Sequence, residues 1–159
     1  MTVPPASAAR TTFEDRVNDA PRRMDIRTVK VVNAKRIAFH TEFRYLRNRS
    51  FNSIYYALYI DTNRRNAGPE YRVAGALFWE VYFNRVDGWN DRNGEFPNCG
   101  RGGVRARTTE GRFGTVTWNF SRRCLRGPDE IRVSVEAGDR YDFDAAPRRR
   151  TFYPAVDRG

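Results

Sequence analysis

The chain has 159 residues, of which 40% are hydrophobic and 14% aromatic, a size and composition that predict one globular domain with one core. Its formal charge is +10, and all but two of its 29 basic residues are arginine, the exceptions being Lys30 and Lys35. The longest apolar stretch, residues 54–60, is far too short to cross a bilayer, so we expect no membrane-spanning segment.

The first 18 residues are small or polar and show little periodicity. They predict a flexible N-terminal arm, residues 1–18, before a single domain that spans residues 19–159. Within the arm, Ala6 and Ala8 have the small-x-small spacing of a signal-peptidase site. We interpret residues 1–9 either as the remnant of a signal peptide or as a linker with no targeting role.

Strand patterns dominate the chain from residue 25 onward. Arg36–Leu46 alternates between apolar and polar residues, and Tyr71–Phe83 does so with an interruption at Gly75, where we expect a bulge or bend. Residues 54–60 are apolar on both faces, which is typical of a central strand. Two further inward rows are predicted on residues 116–120 and 131–137.

Short polar turns separate these segments, for example at Asp87-Gly88 and Asn93-Gly94. No stretch keeps the period of an amphipathic helix over three turns. About eight strands joined in this way predict an all-β, antiparallel β-sandwich. After Tyr141 the chain contains three consecutive arginines and two prolines, which predict an extended C-terminal tail.

Cys99 and Cys124 are the only two cysteines, and the segment between them is predicted to form a hairpin. A lone pair in this setting predicts a disulfide that joins a long loop to the end of a late strand. Disulfides persist in oxidising compartments, so the pair favours a secreted protein. The alternative is a cytosolic protein with two buried, free cysteines.

Several short motifs follow one another in a characteristic order: Asp25-Ile26-x-x-Val29, Tyr59-Ile60-Asp61-Thr62, Gly68-Pro69-Glu70-Tyr71, Cys99 and Cys124-Leu125. Together they resemble a group of small secreted actinobacterial proteins of uncharacterised family, over about residues 19–137. The resemblance extends, more distantly, to the sandwich of DOMON domains and family-nine-type carbohydrate-binding modules. It implies a β-sandwich in an extracellular setting, and it carries over no activity, haem ligand or sugar-binding residue.

Two kinds of side chain are candidates for ligand binding. Trp89 lies in a turn-like segment, where it is either a platform for a sugar ring or a plug over one end of the sandwich. Trp79 and Trp118 lie on predicted inward faces, so we assign them to the core. Arginines on predicted outward faces would bind a polyanion if they share one sheet, and otherwise pair with nearby carboxylates. The arginine candidates are Arg36, Arg44, Arg105 and Arg107.

The sequence offers little for catalysis, and we expect neither an enzyme nor a cofactor. His40, the only histidine, lies two residues from Glu42 on a predicted outward face, and no serine or cysteine nucleophile is tied to this pair. With a single histidine and paired cysteines, zinc and haem sites are not expected.

Acidic residues are the remaining candidates for a metal site, because calcium binds carboxylate oxygens. Asp61 and Glu70 are the calcium candidates that we favour, and Asp19 and Asp25 could contribute further oxygens. Salt bridges with neighbouring arginines would explain the same residues. A second acidic cluster consists of Asp139, Asp142 and Asp144.

The sequence therefore favours a secreted, non-catalytic binding module. Its expected ligand is a glycan or an anionic cell-surface polymer. One alternative is an extracellular structural protein that self-associates through strand edges and terminal arms. Another is a polyanion binder that uses an arginine-rich surface. We do not expect nucleic acid as a partner, because no known nucleic-acid-binding motif is present and secretion argues against a genomic role.

Overall fold

The computed structural model describes residues 9–48 and 54–159, and these residues form thirteen β-strands and one short 3₁₀-helix. The strands are β1 (Ala9–Glu14), β2 (Ile26–Asn33), β3 (Arg36–Phe43), β4 (Tyr45–Leu46), β5 (Tyr55–Asp61), β6 (Tyr71–Ala76), β7 (Glu80–Arg85), β8 (Val104–Thr108), β9 (Gly111–Arg112), β10 (Thr115–Ser121), β11 (Glu130–Gly138), β12 (Phe143–Ala146) and β13 (Val156–Asp157). The 3₁₀-helix spans Arg122–Leu125.

Two antiparallel sheets form the sandwich. A five-stranded sheet has the order β1-β2-β3-β10-β8, and a six-stranded sheet has the order β12-β11-β5-β6-β7 with β13 also paired to β11. β4 and β9 form a separate two-stranded sheet. The predicted all-β class is confirmed, whereas about eight strands is too low a number. Strands of two residues, such as β4, β9 and β13, are too short to produce a visible alternation in the sequence.

The apolar faces of the two sheets enclose one continuous core. Phe120 of β10 is fully buried, with its ring centroid 4.7 Å from that of Phe83 in the six-stranded sheet and 5.9 Å from that of Phe39 in its own sheet. The hydroxyls of Thr41 and Tyr56 lie 3.1 Å apart across the same interface. This packing of two inner faces is the arrangement that the alternating strands predict.

β1 corrects the expectation of a loose arm over residues 1–18. Each of its residues pairs with β2, from Ala9 opposite Asn33 to Glu14 opposite Thr28. The inward-facing ring of Phe13 stacks on that of Tyr153, with centroids 4.5 Å apart. An edge strand covers the core with only one face and here carries few large apolar residues, so its alternation is weak. Residues 1–8 of the predicted arm lie outside the described part of the chain.

The predicted single strand over Tyr71–Phe83 is a hairpin of β6 and β7. Directly opposed residues, such as Val73 and Phe83, share one face of the sheet. Both members of each opposed pair have the same parity in the sequence, so the alternation continues through the turn and imitates one long strand. The predicted inward position of Trp79 is wrong, because this residue lies in the turn and is 67% exposed.

No bulge occurs at Gly75, where we expected one, since the register of β6 runs through it without a shift on both sides. Instead, the absence of a side chain at Gly75 allows the backbone of β7 to lie close to that of β6. A Cβ at this position would lie 2.0 Å from the carbonyl oxygen of Glu80. Any other residue would push the two strands of the hairpin apart.

The disulfide between Cys99 and Cys124 is confirmed, with a Cα–Cα distance of 4.4 Å. It joins the long loop of residues 86–103 to the 3₁₀-helix that follows β10. The C-terminal tail is extended, as expected, and it also contributes β12 and β13 to the six-stranded sheet. Among the described residues, the structure contains no helix with the length and apolarity needed to cross a membrane.

Candidate functional site

A concave site of about 330 Å³ lies on the outer face of the six-stranded sheet. Five parts of the chain line it: strands β5, β11 and β12, the loop after β7, and the C-terminal segment after β12. The lining residues are Tyr55, Tyr59, Trp89, Asn90, Arg92, Glu136, Phe143, Arg149 and Arg150. We call this site the outer pocket.

The alternation of large and small side chains on β5 and β11 explains the hollow. Their outward residues pair as Tyr55 with Gly138 and Ala57 with Glu136. A large side chain therefore lies opposite a small one in each pair, so the outward side chains leave an uneven sheet face, and Trp89 and Phe152 cover part of it. The backbone pairing of two ordinary strands thus positions Tyr55 and Glu136 beside the same depression.

Trp89 forms part of the wall of the outer pocket. Its ring stacks on that of Phe152, with centroids 4.7 Å apart, and packs against Tyr59 at 5.0 Å. These contacts make Trp89 a half-buried cover over the outer face of the six-stranded sheet. Trp89 was expected to be either a platform for a sugar ring or a plug over one end of the sandwich. Its contacts favour the plug, although Trp89 covers a sheet face rather than an end of the sandwich.

Two other aromatic rings in the outer pocket are accessible. Tyr55 is 38% exposed and Phe143 is 46% exposed. The Tyr55 hydroxyl accepts a hydrogen bond from Arg72, and the Arg149 guanidinium lies 5.9 Å from the centroid of Phe143. The sequence analysis singles out neither ring, and Phe143 in particular gives no visible signal because it belongs to a four-residue strand within the predicted tail.

Glu136 is the one carboxylic acid among the lining residues described. It is largely buried, and burial raises its pKa, although Arg149, Tyr59 and Arg150 act in the opposite direction. The Tyr59 hydroxyl donates to Oε2 of Glu136 over 3.4 Å, and burial together with this carboxylate raises the pKa of Tyr59 to about 12. The outer pocket therefore combines guanidinium donors, a buried carboxyl group and accessible rings.

Three of the four arginine candidates lie on the other side of the molecule, on the outer face of the five-stranded sheet. The register places Lys30, His40, Thr117 and Arg107 in one row across that sheet. Arg105 lies in the next row, and Arg36 lies on the same face of β3 as His40. Trp89 and these arginines therefore do not share a surface.

Arg44 lies apart from the other three candidates. Its Nη1 atom is 3.5 Å from Oδ2 of the buried Asp25 and donates to Oδ1 of Asn18. β3 ends one residue earlier, at Phe43, and the chain turns away from the sheet at Arg44. The predicted strand Arg36–Leu46 assumes an unbroken alternation, which would have placed Arg44 on the outer face.

His40 and Glu42 have separate partners. His40 Nδ1 lies 3.0 Å from Oγ1 of Thr117, and burial followed by the charge of Lys30 lowers the histidine's pKa. Glu42 forms an ion pair with Arg27, with an N–O distance of 2.6 Å. Neither contact connects the pair to a serine or a cysteine.

Protein donors surround the calcium candidates Asp61 and Glu70. Asp61 is buried and forms an ion pair with Arg132, whose Nε lies 2.6 Å from Oδ2 of Asp61. Glu70 accepts a hydrogen bond of 2.7 Å from the backbone N–H of Thr62. Asp61 therefore has an arginine partner, as the salt-bridge alternative expects, but Arg132 is distant in sequence, and Glu70 is held by a backbone N–H group rather than by a neighbouring arginine.

The fold instead brings together acidic residues from the two clusters that the sequence kept separate. One carboxylate oxygen each from Asp19, Asp25 and Asp144 lies within 4.8 Å of the others. Burial raises the pKa of Asp144 to about 6, with repulsion from Asp19 adding to the effect. Burial, followed by repulsion from Asp144, raises the pKa of nearby Asp15 to about 7.

A scan of the chain against protein-family models and a search of curated proteins both find no match. The resemblance to small secreted actinobacterial proteins and to DOMON or carbohydrate-binding sandwiches therefore stays a prediction.

Proposed function

We propose that this protein is a secreted, non-catalytic binding module that holds an acidic glycan in the outer pocket. The observation that carries the proposal is the combination, in one depression, of accessible aromatic rings and convergent guanidinium groups. Ligand sites are typically concave and place a few polar groups beside apolar surface. The disulfide supports the extracellular location, because such bonds persist in oxidising compartments.

The aromatic rings favour a sugar as the ligand. A pyranose ring presents an apolar face of C–H groups, which packs on an aromatic side chain, and hydroxyls that need hydrogen-bond partners. Tyr55 and Phe143 supply the rings, and Arg149, Arg150 and Glu136 supply donors and an acceptor. Arg150 is oriented by its hydrogen bond of 2.6 Å to Oδ1 of Asn90.

The charge of the pocket favours an acidic sugar. Three arginines line it, whereas Glu136 is its single described carboxyl group and is itself largely buried. Guanidinium groups bind carboxylates and sulfates in a bidentate manner. A single carboxyl group also argues against hydrolysis of the glycan, since glycosidases ordinarily use two.

We expect Tyr55→Ala to weaken binding to an acidic polysaccharide about fivefold, because one aromatic contact contributes on the order of 1 kcal/mol. Affinity electrophoresis with polygalacturonate, dextran sulfate and neutral dextran measures the effect. Tyr82→Ala is the matched control, because Tyr82 is an exposed tyrosine on the same outer face, two strands away from β5. Equal losses in both variants, or no binding of wild type to either acidic polymer, would contradict the proposal.

Glu136 also predicts a pH dependence. Its pKa is raised above the ordinary value of 4.5, so lowering the pH from 7 to about 5 protonates a growing fraction of it. Loss of this negative charge among Arg72, Arg149 and Arg150 should strengthen binding of dextran sulfate, which stays charged throughout. Glu136→Gln should bind more tightly than wild type at pH 7 and lose most of the pH dependence. A pH profile unchanged by this substitution would remove Glu136 from the site.

The row of basic residues on the five-stranded sheet supports one alternative, a polyanion binder that uses that sheet. Two charge-matched double variants distinguish the surfaces, since each removes two arginines. We expect Arg149→Ala/Arg150→Ala to lose binding and Arg105→Ala/Arg107→Ala to keep it. The reverse result would favour the alternative. Self-association through strand edges stays a separate prediction, for which light scattering is the direct measurement.

A further inference from the structure

A group of four carboxylates, two of them buried, brings together residues from the N-terminal and C-terminal parts of the chain. Asp15 follows β1, Asp25 directly precedes β2, and Asp144 belongs to β12, while Asp19 lies in the turn between β1 and β2. We call these four residues the acidic cluster. Asp25 and Asp144 are almost completely inaccessible, whereas Asp19 is exposed and opens the cluster to solvent.

Two oxygens of the acidic cluster have no protein partner in the described structure. Asp25 is fully buried, and its Oδ1 atom is inaccessible and accepts no hydrogen bond. Oδ2 of Asp15 is in the same condition. Buried polar atoms in native proteins almost always have a partner, and leaving one without a partner is destabilising. Each of these oxygens therefore indicates a missing binding partner.

The charge of the acidic cluster is also poorly balanced. Within residues 9–48 and 54–159, Arg44 is the one cation that pairs with it, and Nη1 of Arg44 lies 3.5 Å from Oδ2 of Asp25. The remaining donors are uncharged: the Tyr153 hydroxyl lies 3.5 Å from Oδ1 of Asp15, and the others are backbone N–H groups, such as that of Ile26, which donates to Oδ2 of Asp144 over 2.6 Å. Several carboxylates facing one guanidinium repel one another in a place where water screens them little.

We propose that the acidic cluster is a calcium site in which Asp19, Asp25 and Asp144 are ligands. Calcium–oxygen distances of 2.3–2.6 Å allow two ligand oxygens of one ion to lie at most about 5 Å apart, and the three carboxylate oxygens meet this limit at 4.8 Å. An all-oxygen set selects a hard cation rather than zinc or copper. The unpartnered Oδ1 of Asp25 gains a ligand bond, and exposed Asp19 gives the ion access.

The site has a structural consequence that does not depend on the proposed glycan function. An ion bound here would tie the segment of residues 15–25 to β12, and so link the N-terminal half of the five-stranded sheet to the C-terminal edge of the six-stranded sheet. This is a different location from Asp61 and Glu70, the calcium candidates that the sequence favours. Extracellular calcium sites commonly have dissociation constants of about 0.1 to 1 mM.

The test uses the full chain, freed of metal with a chelator, and adds CaCl₂ or MgCl₂ while the melting temperature and the heat of binding are measured. We expect calcium to raise the melting temperature and to bind in the range of about 0.1 to 1 mM, and magnesium to bind more weakly. Asp19→Asn should weaken calcium binding by about tenfold, because affinity depends on the number of charged ligands. It should leave the circular dichroism unchanged, since Asp19 is exposed.

Asp157→Asn is the matched control, because Asp157 is an exposed carboxylate far from the acidic cluster. In the backbone register of β11, Asp157 lies opposite Glu130 at one end of the strand, whereas Asp144 lies opposite Ala137 near the other end. It should bind calcium as wild type does. Asp144→Asn is a second ligand variant, and Asp19→Asn decides the outcome if that buried substitution does not fold. The proposal is overturned if about 10 mM calcium, ten times the weakest expected constant, produces neither heat nor a thermal shift. Unchanged affinity in Asp19→Asn would overturn it equally.

Discussion

Replacing both cysteines with serine should lower the free energy of unfolding by about 3 to 4 kcal/mol. The disulfide joins residues separated by 25 positions, and a cross-link of that span removes much of the conformational entropy of the unfolded chain. A domain of this size has a net stability of only about 5 to 15 kcal/mol. The double variant Cys99→Ser/Cys124→Ser should therefore unfold at a much lower urea concentration than wild type.

Reduction of the wild-type protein with dithiothreitol is the control for this prediction. It breaks the same bond without introducing hydroxyls at two buried positions, so it should give a similar loss of stability. A double variant that stays within about 1 kcal/mol of oxidised wild type would show that the bond constrains the unfolded chain far less than its loop length predicts.

The second large effect concerns the ion pair between Asp61 and Arg132. Asp61 is only 1% exposed, so Arg132→Met would leave a buried carboxylate without its partner. Such a change typically destabilises a protein by about 3 to 5 kcal/mol. The methionine retains an apolar side chain that can pack beside Phe152, which lies 5.1 Å from the guanidinium of Arg132. Urea unfolding therefore measures mainly the loss of the charge partner.

Arg64→Met is the matched control, because Arg64 also pairs with a carboxylate of the six-stranded sheet. Its partner Glu130 lies 2.7 Å away, and both side chains are substantially exposed. Surface ion pairs contribute at most about 1 kcal/mol, so this variant should unfold almost as wild type does.

The double variant Asp61→Asn/Arg132→Met should recover much of the stability lost in Arg132→Met, because it removes the uncompensated charge. If Arg132→Met and Arg64→Met are equally stable, burial of Asp61 does not determine the strength of its ion pair with Arg132. A calcium ion at Asp61 would also predict a different result, since Asp61→Asn alone would then abolish a calcium-dependent gain in stability.

The two sheets were largely predictable because strand alternation is a local property of the sequence. β10 and β11 each bury every second residue in the first part of the strand, and a period of two is sufficient to assign them to half-covered sheets. Because alternation is local, it also explains why the hairpin at residues 71–83 was wrongly predicted as one strand. A period of two cannot distinguish one strand from a hairpin whose opposed residues share parity, and only the turn at residues 77–79 separates β6 from β7.

The sequence did not predict which outward-facing residues of a strand are buried by other segments of the chain. β5 is buried on both faces, as its apolar sequence indicates, but its outer face is covered by Trp89 and Phe152, which are distant in sequence. Which side chains remain accessible beside this cover depends on where the loop after β7 and the C-terminal segment cross the sheet. Tyr55 and Tyr59 share one face of one strand, yet Tyr55 is accessible and Tyr59 is buried.

The sequence by itself determined the all-β class, the two-layer arrangement and the pairing of Cys99 with Cys124, because alternation and a lone pair of cysteines contain that information. Only the tertiary structure decided which polar residues share a site. The outer pocket is lined by three strands, a loop and a C-terminal segment, and the acidic cluster joins residues 15–25 to Asp144. Such sites arise from contacts between strands remote in sequence, and no local pattern specifies their distances or the burial that gives their carboxylates unusual pKa values.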